Sequence, residues 1–359
     1  MRINPTSENS FKGYDARKLK ALCIGTTRYQ LGRELAKIGE NVGFEVFIPT
    51  LSGLQKINSV NRDIHLGHKL WLQDLVTTTP KNSVIPVFSA EMLARFISRH
   101  FNKDLDRSSS QIPAGGNMFF VKNNKTGKED LLLGANDAHS LSENPSLKEL
   151  LGVDNIDIVP QMDFHIDMFL RPLENKTVLL ADDSLTLRVL RLGLSRINAA
   201  LSKPENDKRA LKNVYNNLAN NLREFREEVN KNSGIKVDSV EKRLQQYGYN
   251  VIKVPGRIYS FDSQDSLRCT TNFMNAIVTK NDKNELIYIT NKSFLDEKCG
   301  ITLEIKNQID FSFEDEFLKS IMAYIKPENV HFISGEGRYL ESLLEDSFGG
   351  LHCITTEIL

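Results

Sequence analysis

ALCIGTTRYQLGRELAKIGENVGFEVFIPT (residues 21–50) decides the fold class. ALCIGTT (21–27) is an apolar, strand-like run, RELAKIGENVG (33–43) reads as a helix stopped by glycine, and FEVFIPT (44–50) reads as the next strand. Strand, helix and strand in direct succession point to an α/β domain. The alternation resumes at SVIPVF (83–88), a strand candidate, and SAEMLARFISRHF (89–101), a helix with Ser89 as its N-cap. DLDRSSSQIPAGG (104–116) is a polar loop, and NMFFVKNNKTGKEDLLLGAND (117–137) is a hairpin turning at NNKTGK. NPSLKELLGV (144–153) reads as a short helix, and residues 156–182 read as strands broken by turns.

Residues 184–250 change character. Leu211, Val214, Leu218, Leu222, Phe225 and Val229 step by threes and fours, the mark of an amphipathic helix packed as a layer on the sheets. Beyond residue 251 the alternation returns, with FEDEFLKSIMAYI (313–325) and GRYLESLLEDSF (337–348) as helices flanking HFIS (331–334). No stretch repeats another in sequence identity. The expectation is one α/β domain over residues 1–359 with a mainly helical insertion at about 184–250.

The 359 residues carry 46 basic and 46 acidic side chains, and the formal net charge is zero. That balance argues against nucleic acid as a partner, because a polyanion partner calls for a basic excess. Hydrophobic residues make up 40% and charged residues 26%, an ordinary globular composition. No apolar run is long enough to span a membrane, and MRINPTSENSFKGYDARKLK lacks a basic-then-apolar signal pattern. A cytoplasmic location, or delivery by a secretion route that needs no signal peptide, follows as the expectation. Cys23, Cys269, Cys299 and Cys353 are far apart and form no CxxC pair, so neither a zinc site nor a disulfide framework is indicated. His65 and His68 sit three apart in DIHLGH without further ligands nearby, and read as a surface pair.

Four segments carry side chains suited to chemistry. LWLQDL (70–75) holds the only tryptophan, Trp71, and Asp74, which together suit a bound cation or simply pair a core ring with a surface carboxylate. AGGNMFFV (114–121) places paired glycines before a strand, as a turn or as a point of close backbone approach. In FHIDMFLRPL (164–173), His165 and Asp167 are two apart, so on a strand both point to one face. Such a pair lines a pocket or forms a satisfied core contact. Arg171 in the same segment suits a substrate carboxylate, but a solvated arginine is the preferred reading. In FGGLHCITTEIL (348–359), Cys353 follows a double glycine and a histidine, and is either an accessible nucleophile or a buried, inert thiol. Taken together, a Cys, a His and two Asp supply what attack on a guanidinium carbon needs. Carboxylates orient the planar cation, the thiolate attacks, and the imidazole moves the protons.

The order and spelling of these segments resemble the pentein superfamily of guanidino-modifying enzymes, and most of all the catalytic domain of peptidylarginine deiminases. WLQD (71–74) with IPVF (85–88), HID (165–167), TTNFMNAIV (270–278) and HCIT (352–355) are similar to that family's motifs. GGN (115–117) and LLLG (131–134) look more like the deiminases of free arginine and agmatine. The helical stretch sits where the protein deiminases also carry a helical insert. The resemblance implies a five-bladed α/β propeller with the site on its axis. It implies Cys353 as nucleophile, His165 as general acid and base, Asp74 and Asp167 as guanidinium ligands, Trp71 as a wall of the substrate channel, and Asn117 as a contact. Vertebrate protein deiminases follow the Gln-Asp with acidic residues, one of which ligates calcium. Leu75, Val76 and Thr77 stand there in this chain, so no cofactor or metal is expected and calcium control is not assumed.

The resulting expectation is a cysteine-dependent hydrolase that deiminates arginine to citrulline and releases ammonia. Protein-bound arginine is favoured as substrate, on the strength of WLQD and the long insert. Within enzymes the alternatives are a deiminase of a small guanidine (agmatine, free or methylated arginine) and an amidinotransferase. From another class, the alternative is a non-catalytic pentein that serves as a binding module.

Overall fold

The computed structural model describes residues 16–25, 29–50, 52–58, 72–87, 90–106, 112–113, 115–123, 126–139, 141, 145–231, 236–261, 267–335, 340 and 350–358. The chain begins with β1 (Ala21–Ile24), β2 (Glu45–Thr50) and β3 (Gly53–Ile57), with a helix (Tyr29–Val42) between the first two. Three-stranded sheets follow: β4 (Val76–Thr78), β5 (Ser83–Pro86) and β6 (Asp104–Leu105), then β7 (Met118–Asn123), β8 (Lys128–Gly134) and β9 (Asn155–Val159), then β10 (Leu170–Pro172), β11 (Thr177–Ala181) and β12 (Asn250–Val254). A hairpin of β13 (Arg257–Phe261) and β14 (Leu267–Asn272) precedes the sheet of β15 (Ile277–Lys280), β16 (Leu286–Asn291) and β17 (Val330–Ile333). The last strand, β18 (Thr355–Ile358), pairs antiparallel with β1, Ala21 opposite Ile358.

One plan recurs. In each three-stranded sheet the first two strands are antiparallel and the last two parallel. The first sheet obeys it as well, since β18 lies antiparallel to β1, β2 lies parallel on its other side, and β3 extends the edge. A parallel pair cannot be joined by a tight turn, so each needs a crossover, and helices supply it. The helix Glu91–Phe101 joins β5 to β6, and Leu147–Leu151 lies between β8 and β9. Three helices, Asp183–Leu201, Lys208–Lys231 and Val237–Gln246, fill the crossover from β11 to β12. Three shorter ones, Phe294–Cys299, Leu303–Ile309 and Phe313–Ile321, fill that from β16 to β17.

Helices cover the sheets, so the central strands are apolar almost throughout. Every residue of β1 and β16 is buried, as are the last five of β8 and the last four of β11. The helix Lys208–Lys231 buries Leu211, Val214, Leu218 and Phe225, one stripe at helical spacing. Hydroxyl and carboxylate caps start several of the helices. Asp182 accepts from the N–H of Ser184 and Leu185, Ser293 from Asp296, Thr302 from Ile305, and Ser312 from Asp315. The helix Glu91–Phe101 departs from the expected cap. Ser89 lies outside the described residues, and the N-cap position is Ala90, with no side-chain hydrogen bond. The helix expected over 337–348 also falls outside them, apart from Leu340. No helix among the described residues is long and apolar enough to cross a membrane.

Candidate functional site

Buried polar side chains gather where different sheet units bring their ends together. Asn117 ends a 3-10 turn (Gly115–Asn117) ahead of β7, Asp167 sits in a 3-10 turn (Ile166–Met168) ahead of β10, Asn275 lies between β14 and β15, and His352 and Cys353 precede β18. All five are buried. A hydrophobic interior holds such groups only if they are hydrogen-bonded, and these are.

Asp167 is 0% and Cys353 4% exposed. One oxygen of Asp167, Oδ2, takes three neighbours: Asn275 Nδ2 at 2.9 Å, His352 Nδ1 at 3.0 Å and Cys353 Sγ at 3.5 Å. Asn275 Nδ2 also lies 3.1 Å from Sγ. The other oxygen, Oδ1, is buried and has no hydrogen-bond partner among the described residues. An unsatisfied carboxylate oxygen beside a thiol is an acceptor waiting for a donor.

Asparagine side chains build the loop that carries the thiol. Asn275 Oδ1 accepts from the N–H of His352 at 2.7 Å and of Cys353 at 3.4 Å, and Asn291 Oδ1 accepts from Leu351 N–H at 3.2 Å. Asn291 Nδ2 donates to the carbonyls of Asn272 (2.7 Å) and Asn275 (3.2 Å), and Asn272 Nδ2 to that of Met168 (3.1 Å). The thiol loop and the Asp167 turn are thus tied to one segment, TTNFMN (270–275). Gly350 permits the approach, since a Cβ there would lie 2.8 Å from Asn275 Oδ1 and 2.9 Å from Asn291 Nδ2. Thr355 closes the turn by donating Oγ1–H to the His352 carbonyl at 2.9 Å, and the chain then enters β18.

His165 sits differently. It has extended backbone and caps the Ile166–Met168 turn, so it does not share a strand face with Asp167 as the sequence suggested. The i, i+2 argument needs a strand, and a 3-10 turn points its successive side chains elsewhere. The His165 ring is half-buried, 4.6 Å from the Phe164 ring, and lies against the backbone of Gly116. A Cβ on Gly116 would meet Nδ1 at 2.3 Å, so glycine is the residue that admits the imidazole. The second glycine of AGGN is therefore a point of close approach, to a side chain of the protein itself.

Asn117 holds this segment by its backbone. Its Oδ1 accepts from Ile166 N–H at 3.0 Å and from Gln161 Nε2 at 2.8 Å, and its Nδ2 donates to Asp137 at 2.8 Å and to the Phe164 carbonyl at 3.4 Å. Gln161 Nε2 donates to the same carbonyl at 2.8 Å. Asp163 Oδ1 accepts from Phe164 N–H at 2.8 Å, and Asp163 Oδ2 pairs with Arg257 Nη1 at 2.9 Å. Arg257 is buried and also pairs with Asp183 at 3.3 Å. Burial works against its charge, but Asp183, Tyr259 and Asp163 outweigh that and hold its pKa above the usual value. Both hydrogen-bonding atoms of the Asn117 amide are engaged with the protein.

Behind Asp167 lies a second correction. Arg171, expected in solvent, is 0% exposed and pairs with Glu357 of β18 at 3.0 Å. Its guanidinium lies 5.2 Å from the Phe119 ring centre, and Phe119 stacks on His352 at 5.6 Å. His352 Nε2 faces Glu357 at 3.7 Å. His352, Asn275, Asn272, Asn291 and Glu357 were not singled out from sequence. The motif spellings HCIT and TTNFMN held His352, Asn272 and Asn275, and Asn291 and Glu357 lay in neither.

Trp71 lies outside the described residues. Asp74 belongs to a short helix (Leu72–Leu75) packed against the Gly115–Asn117 turn and β18, and its side chain is outside the described set. The helix brings the Asp74 backbone to the same junction. Cys23 and Cys299 are buried, and burial pushes both thiols up, Cys299 to about 12. No group of three or more His, Cys, Asp and Glu among the described residues could hold a metal ion.

No family model matches the sequence, and no curated protein matches it. Solved structures do match. C. jejuni agmatine deiminase superposes with a TM-score of 0.54 at 14% identity, over 100% of this chain and 98% of that one. A dimethylarginine dimethylaminohydrolase adduct with 4-chloro-2-hydroxymethylpyridine gives 0.42 at 12% identity, over 95% of this chain and 100% of that one. Apo ArgZ, an arginine dihydrolase from the ornithine-ammonia cycle in cyanobacteria, gives 0.45 at 11% identity, over 95% of this chain and 39% of that one. The chain shares its mixed α/β fold with agmatine deiminase over nearly the whole of both molecules.

Proposed function

We propose that the protein is a cysteine-dependent hydrolase of guanidino groups, its five repeated units arranged as a propeller of one catalytic domain around the buried cluster. The observation that carries this reading is the pairing of Cys353 Sγ with Asp167, whose Oδ1 is left open as an acceptor. A guanidinium ion brings N–H donors in one plane and a positive charge, which is what that oxygen lacks. Asp74 supplies the second carboxylate.

In this reading Cys353 Sγ attacks the guanidinium carbon and its proton passes to His165. His165 hands the proton to one nitrogen, which leaves as ammonia, and an S-amidino adduct remains. Water, deprotonated by His165, then attacks the same carbon. The S–C bond breaks, the thiol is restored, and a ureido product departs. Each guanidinium and each water thus give one urea group and one ammonium ion. The thiol, imidazole and carboxylates serve every step, so no cofactor is required.

Two observations favour different substrates. WLQD and the three-helix crossover speak for arginine within a protein. The match to agmatine deiminase over both full lengths speaks for a small guanidine. Ureido-product detection on free arginine, agmatine and an arginine-containing protein mixture, each with and without calcium, separates them. Cys353→Ala is the control. A ureido product from at least one substrate, absent with Cys353→Ala, is expected. No product on any of them would overturn hydrolysis and send the test to amine acceptors, for amidino transfer.

A further inference from the structure

The nucleophile's neighbour in sequence is more deeply committed than its position suggests. His352 is buried, and its Nδ1 lies 3.0 Å from Asp167 Oδ2. Set against a carboxylate oxygen, Nδ1 is the donor of the pair in the reading that follows. The opposite nitrogen, Nε2, faces Glu357 at 3.7 Å, Glu357 is paired with the fully buried Arg171 at 3.0 Å, and the ring is stacked on Phe119. Arginine, glutamate, histidine and aspartate thus form a continuous line from β10 through β18 to the thiol. The Arg171 side chain is out of contact with solvent and that of Glu357 is buried. A line of this kind is costly to bury, and a hydrophobic set of the same volume would serve packing as well or better.

We propose that His352, backed by Glu357 and Arg171, is a positioning residue for the reaction. It holds Asp167 by Oδ2 so that Oδ1 faces the incoming guanidinium. This rests on the hydrolase reading above, but its geometry does not. Two donors on Oδ2, from His352 and Asn275, fix the carboxylate plane and leave one oxygen for the substrate. Without the His352 N–H, Asn275 alone remains as amide donor to Oδ2, the carboxylate plane is held less firmly and its charge turns more fully on Sγ at 3.5 Å, which disfavours the thiolate.

The test compares His352→Asn with His352→Leu in the full chain. The two side chains share a shape, and Asn Nδ2 stands in for the histidine Nδ1 donor while Leu has none. The first readout needs no substrate: the rate at which iodoacetamide alkylates Cys353, located by peptide mass. His352→Leu should slow alkylation by about three- to tenfold, and His352→Asn should hold it near the wild-type rate. The second readout is kcat and KM on whichever guanidine the wild type turns over. His352→Leu should lose about ten- to hundredfold in kcat/KM, and His352→Asn should recover most of it. Equal losses in the two variants, or none in either, would overturn the proposal. If the Leu variant does not fold, a tenfold loss in a folded His352→Asn protein would overturn it alone. A wild type that makes no ureido product, with alkylation still following the donor, would sink the hydrolase reading and leave the positioning role standing.

Discussion

Cys353 and Asp167 lie 4% and 0% exposed, with asparagine amides on the thiol loop and an ion-paired line behind the carboxylate. Three residues before Asp167, the Phe164 ring is 42% exposed beside a half-buried His165. The thiol side is fixed by side chains that touch the reacting groups. The imidazole side is fixed through the backbone, by Asn117, Gln161 and Asp163, and leaves its rings open to one face. The contrast suits the chemistry proposed. The nucleophile and its carboxylate must not move, whereas the imidazole exchanges protons with a leaving group and then with water, and needs access to both.

The largest effect should follow from Cys353→Ala, which removes the bond-forming atom. Turnover should fall by about ten-thousandfold or more while circular dichroism stays unchanged. An alanine variant with full activity would end the thiol mechanism. His165→Ala should cost about 10²- to 10⁴-fold in kcat, the range for a lost general acid and base. A loss below tenfold would mean that another group moves the protons, and the comparison of the two sides would lose its chemical meaning.

Arg171→Met tests the thiol side for stability. It leaves Glu357 buried without its cation and should lower unfolding free energy by about 3–5 kcal/mol, read by denaturant titration. A neutral result would show that Glu357 is held by others. The same side should carry a pH signature at Asp296, whose carboxylate accepts from Phe313 N–H behind the 270–275 segment. Burial pushes Asp296 up from the ordinary 3.8 to about 7. The unfolded chain then ionises first, so the wild type loses stability as pH rises from about 4 to about 7 and has the full contribution below that window. Asp296→Asn should flatten the slope there, and an unchanged slope would assign it to other groups. The smallest stability effect is expected at the open face. Phe164→Ala should change unfolding free energy by no more than about 0.5 kcal/mol. Any change in KM on that background then measures contact between the ring and the substrate.

The sequence by itself determined the α/β class, the order of most strands and helices, and the polar residues worth watching. Local signals suffice for these. β1 and β2 are apolar runs, the 208–231 helix shows its stripe, and Cys353 stands behind a glycine pair. Local patterning did not reach the recurrence of one sheet plan among the described residues, which only the motif resemblance implied, because hydrogen-bond pairing repeats without any repeat of residue identity. Nor did it reach the conformation of His-x-Asp, where a tertiary acceptor, Asn117 Oδ1, takes the Ile166 N–H and helps hold a 3-10 turn in an otherwise strand-like apolar run. Arg171 is the clearest case. An arginine in sequence belongs in solvent by every local rule, and only the arrival of Glu357, from the last strand of the chain, makes its burial tolerable. Position along the chain carries no record of such partners. They exist only once β18 has paired with β1 and Glu357 has met Arg171 of β10.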